Sequence, residues 1–438
     1  MFALALAIGA ALRLGALPMA ASYDAMKGWS HVAATRGEAR LYDWAAAPDD
    51  RSLRRVDGFY AQGDYPPLSL YALGAAGRIY YRATGGAYPD TPALTATVKA
   101  PALVADIALL VLLFVVVRGS AGIRAARTTV LACWLNPALV LGTVHGLLDA
   151  LLVLPVAGAV IAAAAGWPAL AGSLCAAAVL TKPQGVLVVP VAALAIWNAA
   201  GTNRTSQLAR AAGGAALAAA VILLPIVVAG AAWNMVLAVG SNALGGDMLS
   251  NACNLWWIVG HAIQVAQGPD AGVRSMLTTQ AVLTPISAVM DFESPAVRIA
   301  VRVLGGTLTM AAGAWGVWTA RRARDLWLHA GAAAFLVHAY VVLTPQVHEN
   351  HLFAAVPLLA LASAGRRRFL PLLVVVSIVA ALNLNLLYGL GEPDLRYAIP
   401  RGLIGVDLML LASAANCAAL AWHALVLARE SPGHPELS

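Results

Sequence analysis

Apolar runs of about 17–25 residues recur from one end of this chain to the other. That is the length an α-helix needs to cross roughly 30 Å of hydrocarbon. Within lipid every backbone N–H and C=O must be satisfied internally, which leaves helices or a closed barrel. The runs are continuous and rich in Ala and Leu, without the alternation of barrel strands. Of the 438 residues 61% are hydrophobic and only 11% charged, where a soluble domain carries roughly 25%. The chain therefore reads as an all-α polytopic membrane protein of about twelve spans. They are placed near Phe2–Met19, Lys99–Val117, Thr128–Thr143, Leu147–Ala165, Trp167–Leu180, Gly185–Ala200, Leu208–Trp233, Val297–Ala320, Leu326–Leu343, His351–Ala364, Phe369–Tyr388 and Gly402–Leu427.

The formal charge of +7 would suggest nucleic acid in a soluble protein. Here it is explained by Lys and Arg at cytoplasmic helix ends, so no nucleic-acid partner is expected. Threaded alternately, the spans put Arg118/Arg124/Arg127, Arg204/Arg210, Arg321/Arg322/Arg324, Arg366/Arg367/Arg368 and Arg429 on one side. That side is read as cytoplasmic, with both termini on it. One integral membrane domain, 1–438, then carries two long outer loops, 20–98 and 234–296. Within the first, the apolar stretch Tyr71–Tyr81 is placed as an interfacial helix. Arg13 interrupts the first apolar run, which lacks a basic n-region and is read as a retained span rather than a signal peptide. Cys133, Cys175, Cys253 and Cys417 are isolated, without metal-ligand spacing, and read as small buried hydrophobes.

Acids and histidines gather in the outer loops. Asp24 heads a segment with helical spacing (Tyr23, Met26, Trp29, His31, Val32) that suits an amphipathic surface helix. It reads either as an N-cap or as a general base facing a reaction at the bilayer surface. Asp64 sits in Gly63-Asp64-Tyr65-Pro66-Pro67, where tandem prolines set a rigid turn and a helix starting at or after Pro67. Asp64 is either a cap or a second positioned acid. His145 and Asp149 are four apart and would share a helix face; an orienting hydrogen bond is favoured over a metal. Lys182, flanked by Thr181 and Pro183, either snorkels or holds a lipid phosphate. His348, Glu349 and His351 form a turn after Pro345 whose HExH spacing splays the two histidines and excludes a zincin face. His348 can donate to a phosphate leaving group. Asp106 lies seven residues after Lys99, on the same face of a span, where intramembrane acids turn inward. Asn254-Leu255-Trp256-Trp257 suits an interfacial anchor.

In order, these segments resemble the GT-C superfamily of glycosyltransferases. The pattern is most similar to the asparagine-linked glycosylation glucosyltransferases, which use dolichyl-phosphate-glucose. Asp24-Ala25-Met26-Lys27-Gly28-Trp29 resembles that family's acid-headed segment, and Asp64-Tyr65-Pro66-Pro67-Leu68 matches its DYPPL motif. Lys99 and Asp106, Asn136-Pro137 with His145-Gly146, Lys182-Pro183-Gln184 and Val347-His348-Glu349-Asn350-His351 are similar to further stretches of it. The aromatic and amide residues that follow its histidine are replaced here by Leu147-Leu148-Asp149, and the Lys of its VHEKH is Asn350. The acid before its Asn-x-Trp segment has only the displaced Asp247 as a counterpart.

The resemblance implies a bacterial, inverting hexosyltransferase acting at the outer membrane face. It would move glucose or mannose from a polyprenyl-phosphate donor to a lipid-linked or glycan acceptor. Asp24 would deprotonate the acceptor, and Asp64 would orient the sugar or acceptor. Lys182 and His348 would hold the leaving phosphate. Tyr65, His145, Asp149, Trp256, Glu349 and His351 complete the implied substrate-binding set. No carboxylate pair has the spacing of a metal cage, so a metal-independent reaction without a cofactor is expected. The competing readings are a polyprenyl-lipid or solute transporter, against which stand the boundary placement of the polar residues and the lack of repeats, and a non-catalytic envelope assembly subunit.

Overall fold

The computed structural model describes residues 1–19, 24–245, 252–266, 295–389, 402–403 and 406–432. Most of the segment 234–296, Asp247 included, lies outside the described residues. The described chain is almost entirely helical and falls into two compact units: Met1–Leu135 with Gly142–Gly245, and Asn136–Leu141 with Gly246–Ser438. Among the described residues six helices are long and apolar enough to cross a membrane, and six shorter apolar helices accompany them. It is an integral membrane protein.

The first unit contains α1 (Phe2–Ala16), α2 (Asp24–Arg36), α3 (Pro67–Ala83) and α4 (Pro92–Trp134). Beyond them run the end of α5 (Pro137–His145), whose residues up to Leu141 belong to the second unit, and α6 (Asp149–Ala164), α7 (Pro168–Thr181), α8 (Val189–Ala199), α9 (Arg204–Val228) and α10 (Ala232–Gly245). Two of the expected spans meet in α4, which is broken by the positive φ of Gly122 (85°), a backbone state that glycine adopts without penalty. The second of those spans stops short of Thr143. Pro137 lacks the N–H that would continue the helix, and the Asn136 side chain caps the new one by accepting from the Ala138 N–H at 3.0 Å.

Charges inside the apolar helices are matched locally. Arg13 of α1 meets Asp106 of α4 at 3.3 Å and donates to the Trp134 carbonyl at 2.7 Å. Asp106 therefore pairs with Arg13, and also with the Thr143 hydroxyl, rather than with Lys99 of its own helix. Lys99 donates instead to the Ala16 and Met19 carbonyls, at 3.2 and 2.8 Å. There it closes the C-terminus of α1, where carbonyls lack intrahelical partners and a cation is favoured.

The segment between α1 and α4 packs into an apolar core that residues further along the chain, such as Leu148 and Ile226, complete. Trp29 and Val32 of α2, Leu41 and Tyr42 of the 3-10 helix Glu38–Ala46, and Leu70 and Leu73 of α3 are buried in it. The surface helix expected from Asp24 onward thus covers this core with its Met26, Trp29 and Val32 side. A short hairpin, β1 (Arg55–Val56) with β2 (Phe59–Tyr60), passes so close to α2 that a Cβ on Gly28 would stand 2.0 Å from the Tyr60 carbonyl oxygen.

The second unit contains α11 (Leu255–Ala266), α12 (Pro295–Ala320), α13 (Leu326–Leu343), α14 (Ala355–Gly365), α15 (Leu370–Tyr388) and α16 (Leu408–Glu430). A two-residue pair, β3 (Gly402–Leu403) with β4 (Val406–Asp407), precedes α16. The helix α13 is buried on nearly every side. One of its two buried histidines is met by α16: His338 Nε2 lies 2.9 Å from Asn416 Oδ1, and His338 Nδ1 lies 3.3 Å from His423 Nδ1. Asn416 passes the chain on by donating to the Cys253 carbonyl at 2.7 Å.

Between membrane helices small residues set the distance of approach. A Cβ on Gly172 of α7 would lie 1.8 Å from the Ala211 carbonyl oxygen, and one on Gly214 of α9 would lie 2.1 Å from that of Ala169. Both obstacles are backbone and cannot swing aside. Gly172→Ala is expected to force α7 and α9 apart at a cost of about 1–3 kcal/mol, seen as a lowered unfolding midpoint in detergent. Gly213→Ala, whose Cβ meets nothing within 4 Å, should leave the midpoint unchanged.

Candidate functional site

The turn that carries Asp64 is fixed by aromatic side chains. Trp29 Nε1 donates to the Gln62 carbonyl at 2.9 Å, Trp44 Nε1 to Gly63 at 3.0 Å, and the Tyr42 hydroxyl to Tyr65 at 2.8 Å. Gly63 is needed there, because a Cβ would sit 2.8 Å from Leu41 Cβ. Pro66 holds φ −61° and ψ 158°, and α3 begins at Pro67, as the tandem prolines require. The loop N-terminal to α3 has few conformations to lose.

The same helix start brings in Lys182. The Ser69 hydroxyl donates to the Thr181 carbonyl at 2.7 Å, which pins the end of α7 against the first turn of α3. The Lys182 ammonium then lies 5.6 Å from the centre of the Tyr65 ring. It donates to both carboxylate oxygens of Asp149, at 2.8 and 2.9 Å. Both side chains are almost fully buried, 5% and 3% exposed. Asp149 opens α6, where a carboxylate is favoured by the helix dipole.

Asp64 is the acid that stands apart. Its Oδ1 is buried and accepts no hydrogen bond among the described residues. Burial raises its carboxyl from the ordinary 3.8 to about 6, against the smaller lowering effects of its own backbone N–H and the Lys182 charge. A carboxyl poised there can hold or release a proton close to neutral pH, as acid–base work requires.

His145 ends α5 and is buried. The helical face expected for His145 and Asp149 does not form, because the chain turns between them at Gly146 (φ 68°) and α6 starts afresh. A side chain at 146 would strike the Lys99 stem, with a Cβ only 2.7 Å from its Cγ. Asp24 is the first residue of α2. So Asp64, Tyr65, Asp149 and Lys182 form one cluster in the first unit.

The remaining expected residues lie in the second unit. Asn254 donates to the Val341 and Thr344 carbonyls at 3.3 Å, and Trp256 Nε1 donates to Leu343 at 2.7 Å. Both side chains close the C-terminus of α13, so the Trp256 indole N–H is committed to the fold. Glu349 opens a 3-10 helix, Glu349–Ala354. Its side chain is 1% exposed and its Oε2 lies 3.9 Å from Nδ1 of His348, which is 53% exposed. His351 stacks on Tyr340, with ring centres 5.9 Å apart. Tyr388, absent from the sequence-derived set, donates its hydroxyl to Glu349 Oε1. Among the described residues no three His, Cys, Asp or Glu side chains are grouped as metal ligands.

No protein-family model matches the chain, and no curated protein matches it by sequence. Solved structures do. The crystal structure of ArnT from Cupriavidus metallidurans bound to undecaprenyl phosphate shares 13% identity with it. That alignment covers 99% of this chain and 78% of ArnT, at a TM-score of 0.50. For ArnT in the apo state the values are 13%, 98%, 77% and 0.48. At this identity the likeness is one of fold, a polytopic helical membrane architecture.

Two measurements follow from the cluster. Removing one partner of a buried ion pair strands the other, at about 3–5 kcal/mol. Asp149→Asn and Lys182→Gln should each lower the unfolding midpoint strongly, and the double variant should recover much of the loss. For Asp64 the folded value lies above the ordinary one. Between about pH 4 and 6 the unfolded chain therefore releases a proton that the folded chain keeps, and stability falls as pH rises through that window. Asp64→Asn should flatten this decline in midpoints measured from pH 4 to 7.

Proposed function

We propose that the protein is an inverting glycosyltransferase that takes a hexose from a polyprenyl-phosphate donor at the outer membrane face. The acceptor is a lipid-linked or glycan hydroxyl, and both termini are cytoplasmic. The observation that carries this reading is a rigid turn that sets the Asp64 carboxyl, its Oδ1 buried, beside Tyr65, with the buried Lys182 ammonium 5.6 Å from the centre of the Tyr65 ring. The fold supports it: ArnT, of similar architecture, was crystallised with undecaprenyl phosphate. A polyprenyl phosphate confines its sugar to the headgroup layer, so polar groups set on turns at helix ends are where such a donor is met.

The chemistry is a direct displacement. The acceptor oxygen attacks the anomeric carbon as its proton passes to the Asp24 carboxylate. The bond from that carbon to the phosphate oxygen breaks, and polyprenyl phosphate leaves with the bonding pair. Two of the three N–H donors of Lys182 serve Asp149, and the third is assigned to the phosphate. In the second unit His348 is assigned a hydrogen bond to a phosphate oxygen. Asp64 orients sugar hydroxyls. Its raised carboxyl value favours one further assignment, in which Asp64 rather than Asp24 takes the proton.

Purified protein in lipid is given radiolabelled polyprenyl-phosphate-glucose or polyprenyl-phosphate-mannose, with a bacterial lipid extract as acceptor. Label is expected in a new lipid or glycan product, and the productive donor names the sugar. Asp24→Asn should lower kcat by about 10²–10⁴-fold while donor binding persists. If Asp64 is the base, Asp64→Asn carries that loss instead and abolishes an acidic limb near pH 6. Protein-dependent movement of labelled lipid between leaflets, without transfer, would sink the enzyme reading.

A further inference from the structure

Tyr388 closes α15 and reaches back 39 residues to Glu349. Its hydroxyl donates to Glu349 Oε1, so one oxygen of an almost fully buried carboxylate is gripped. The other, Oε2, accepts no hydrogen bond among the described residues and lies 3.9 Å from His348 Nδ1. The imidazole itself is half exposed. An exposed ring on a turn samples several rotamers, and a fixed carboxylate beside one nitrogen selects among them. Which ring nitrogen serves a ligand is set by what the other one faces. With Nδ1 turned to Glu349, Nε2 is the atom left for a ligand.

We infer that Tyr388 is a positioning residue for His348, acting through Glu349. The phenol fixes Glu349, and Glu349 holds the Nδ1–H side of the imidazole so that Nε2–H donates to a phosphate oxygen. No bond is made or broken by Tyr388 itself. This rests on the reading of His348 as a donor to the polyprenyl phosphate. Tyr388→Phe removes one hydroxyl and keeps the ring, and Glu349→Gln keeps the side-chain shape without the charge. Neither empties a packed volume.

The test uses the full chain in lipid nanodiscs and sugar-free polyprenyl monophosphate as the probe. Tyr388→Phe is expected to weaken binding by about 3- to 10-fold, the worth of one hydrogen bond, and Glu349→Gln by at least as much. In the transfer assay Tyr388→Phe should lower kcat while the KM for acceptor stays unchanged. In a His348→Asn background Tyr388→Phe should have no further effect, because its influence passes through that ring. An equal loss in both backgrounds would make Tyr388 a structural residue and overturn the inference. So would wild-type binding by Tyr388→Phe while His348→Asn binds weakly, and in that case the phosphate role of His348 stands. Wild-type binding by His348→Asn would remove that role, and the inference with it.

Discussion

A charge placed among apolar helices has to be matched where it stands, since lipid offers neither water nor counterion. Arg13 is matched by Asp106 and the Trp134 carbonyl, Lys99 by the open end of α1, and Lys182 by Asp149. Each match joins elements distant in sequence, 93 residues apart for Arg13 and 33 for Lys182. These pairings therefore fix which helices neighbour one another. They act where hydrophobic burial says little, because one apolar helix face resembles another to surrounding lipid.

The first unit's site grows out of the same requirement. Lys182 is held still by Asp149 and by the Ser69 contact to Thr181. The Asp64 turn is held still by donors from Trp29, Trp44 and Tyr42. Asp64 is thereby desolvated with no side-chain cation bonded to it among the described residues, and desolvation outweighs its own backbone N–H and the Lys182 charge in lifting its carboxyl toward neutrality. A paired acid such as Asp149 serves structure, whereas an unpaired one retains chemical capacity. The second unit repeats the contrast. Trp256 and Asn254 are spent on closing α13, while His348 remains exposed beside a carboxylate that is itself anchored.

Several of these features were legible in the chain. The start of α3 at Pro67 follows from tandem prolines, and the break in α4 lies in the arginine-bearing stretch between two apolar runs. The turn of Asp64-Tyr65-Pro66-Pro67 and the end of α7 at Lys182 were singled out from residue types alone. What residue spacing did not give was which side chains meet. His145 and Asp149 do not share a helix face, and Asp106 faces Arg13 rather than Lys99. Tyr42, Trp44 and Tyr388 carried no local signal, since an aromatic residue near a helix end reads the same whether it faces lipid or grips a carbonyl.

The sequence by itself determined that this is a helical membrane protein with acids and histidines such as Asp64, His145, Asp149, His348 and Glu349 in turns and at helix ends. The reason is local: hydropathy acts over single spans, and proline and glycine act on their own backbone. Only the tertiary structure decided that Lys182 answers Asp149, that the Asp64 Oδ1 is buried with no hydrogen bond among the described residues, and that Tyr388 grips Glu349. Those facts depend on which helix ends meet across 33 or 39 residues of chain. Packing of small residues such as Gly172 and Gly214, rather than any periodicity, sets how closely such helices approach.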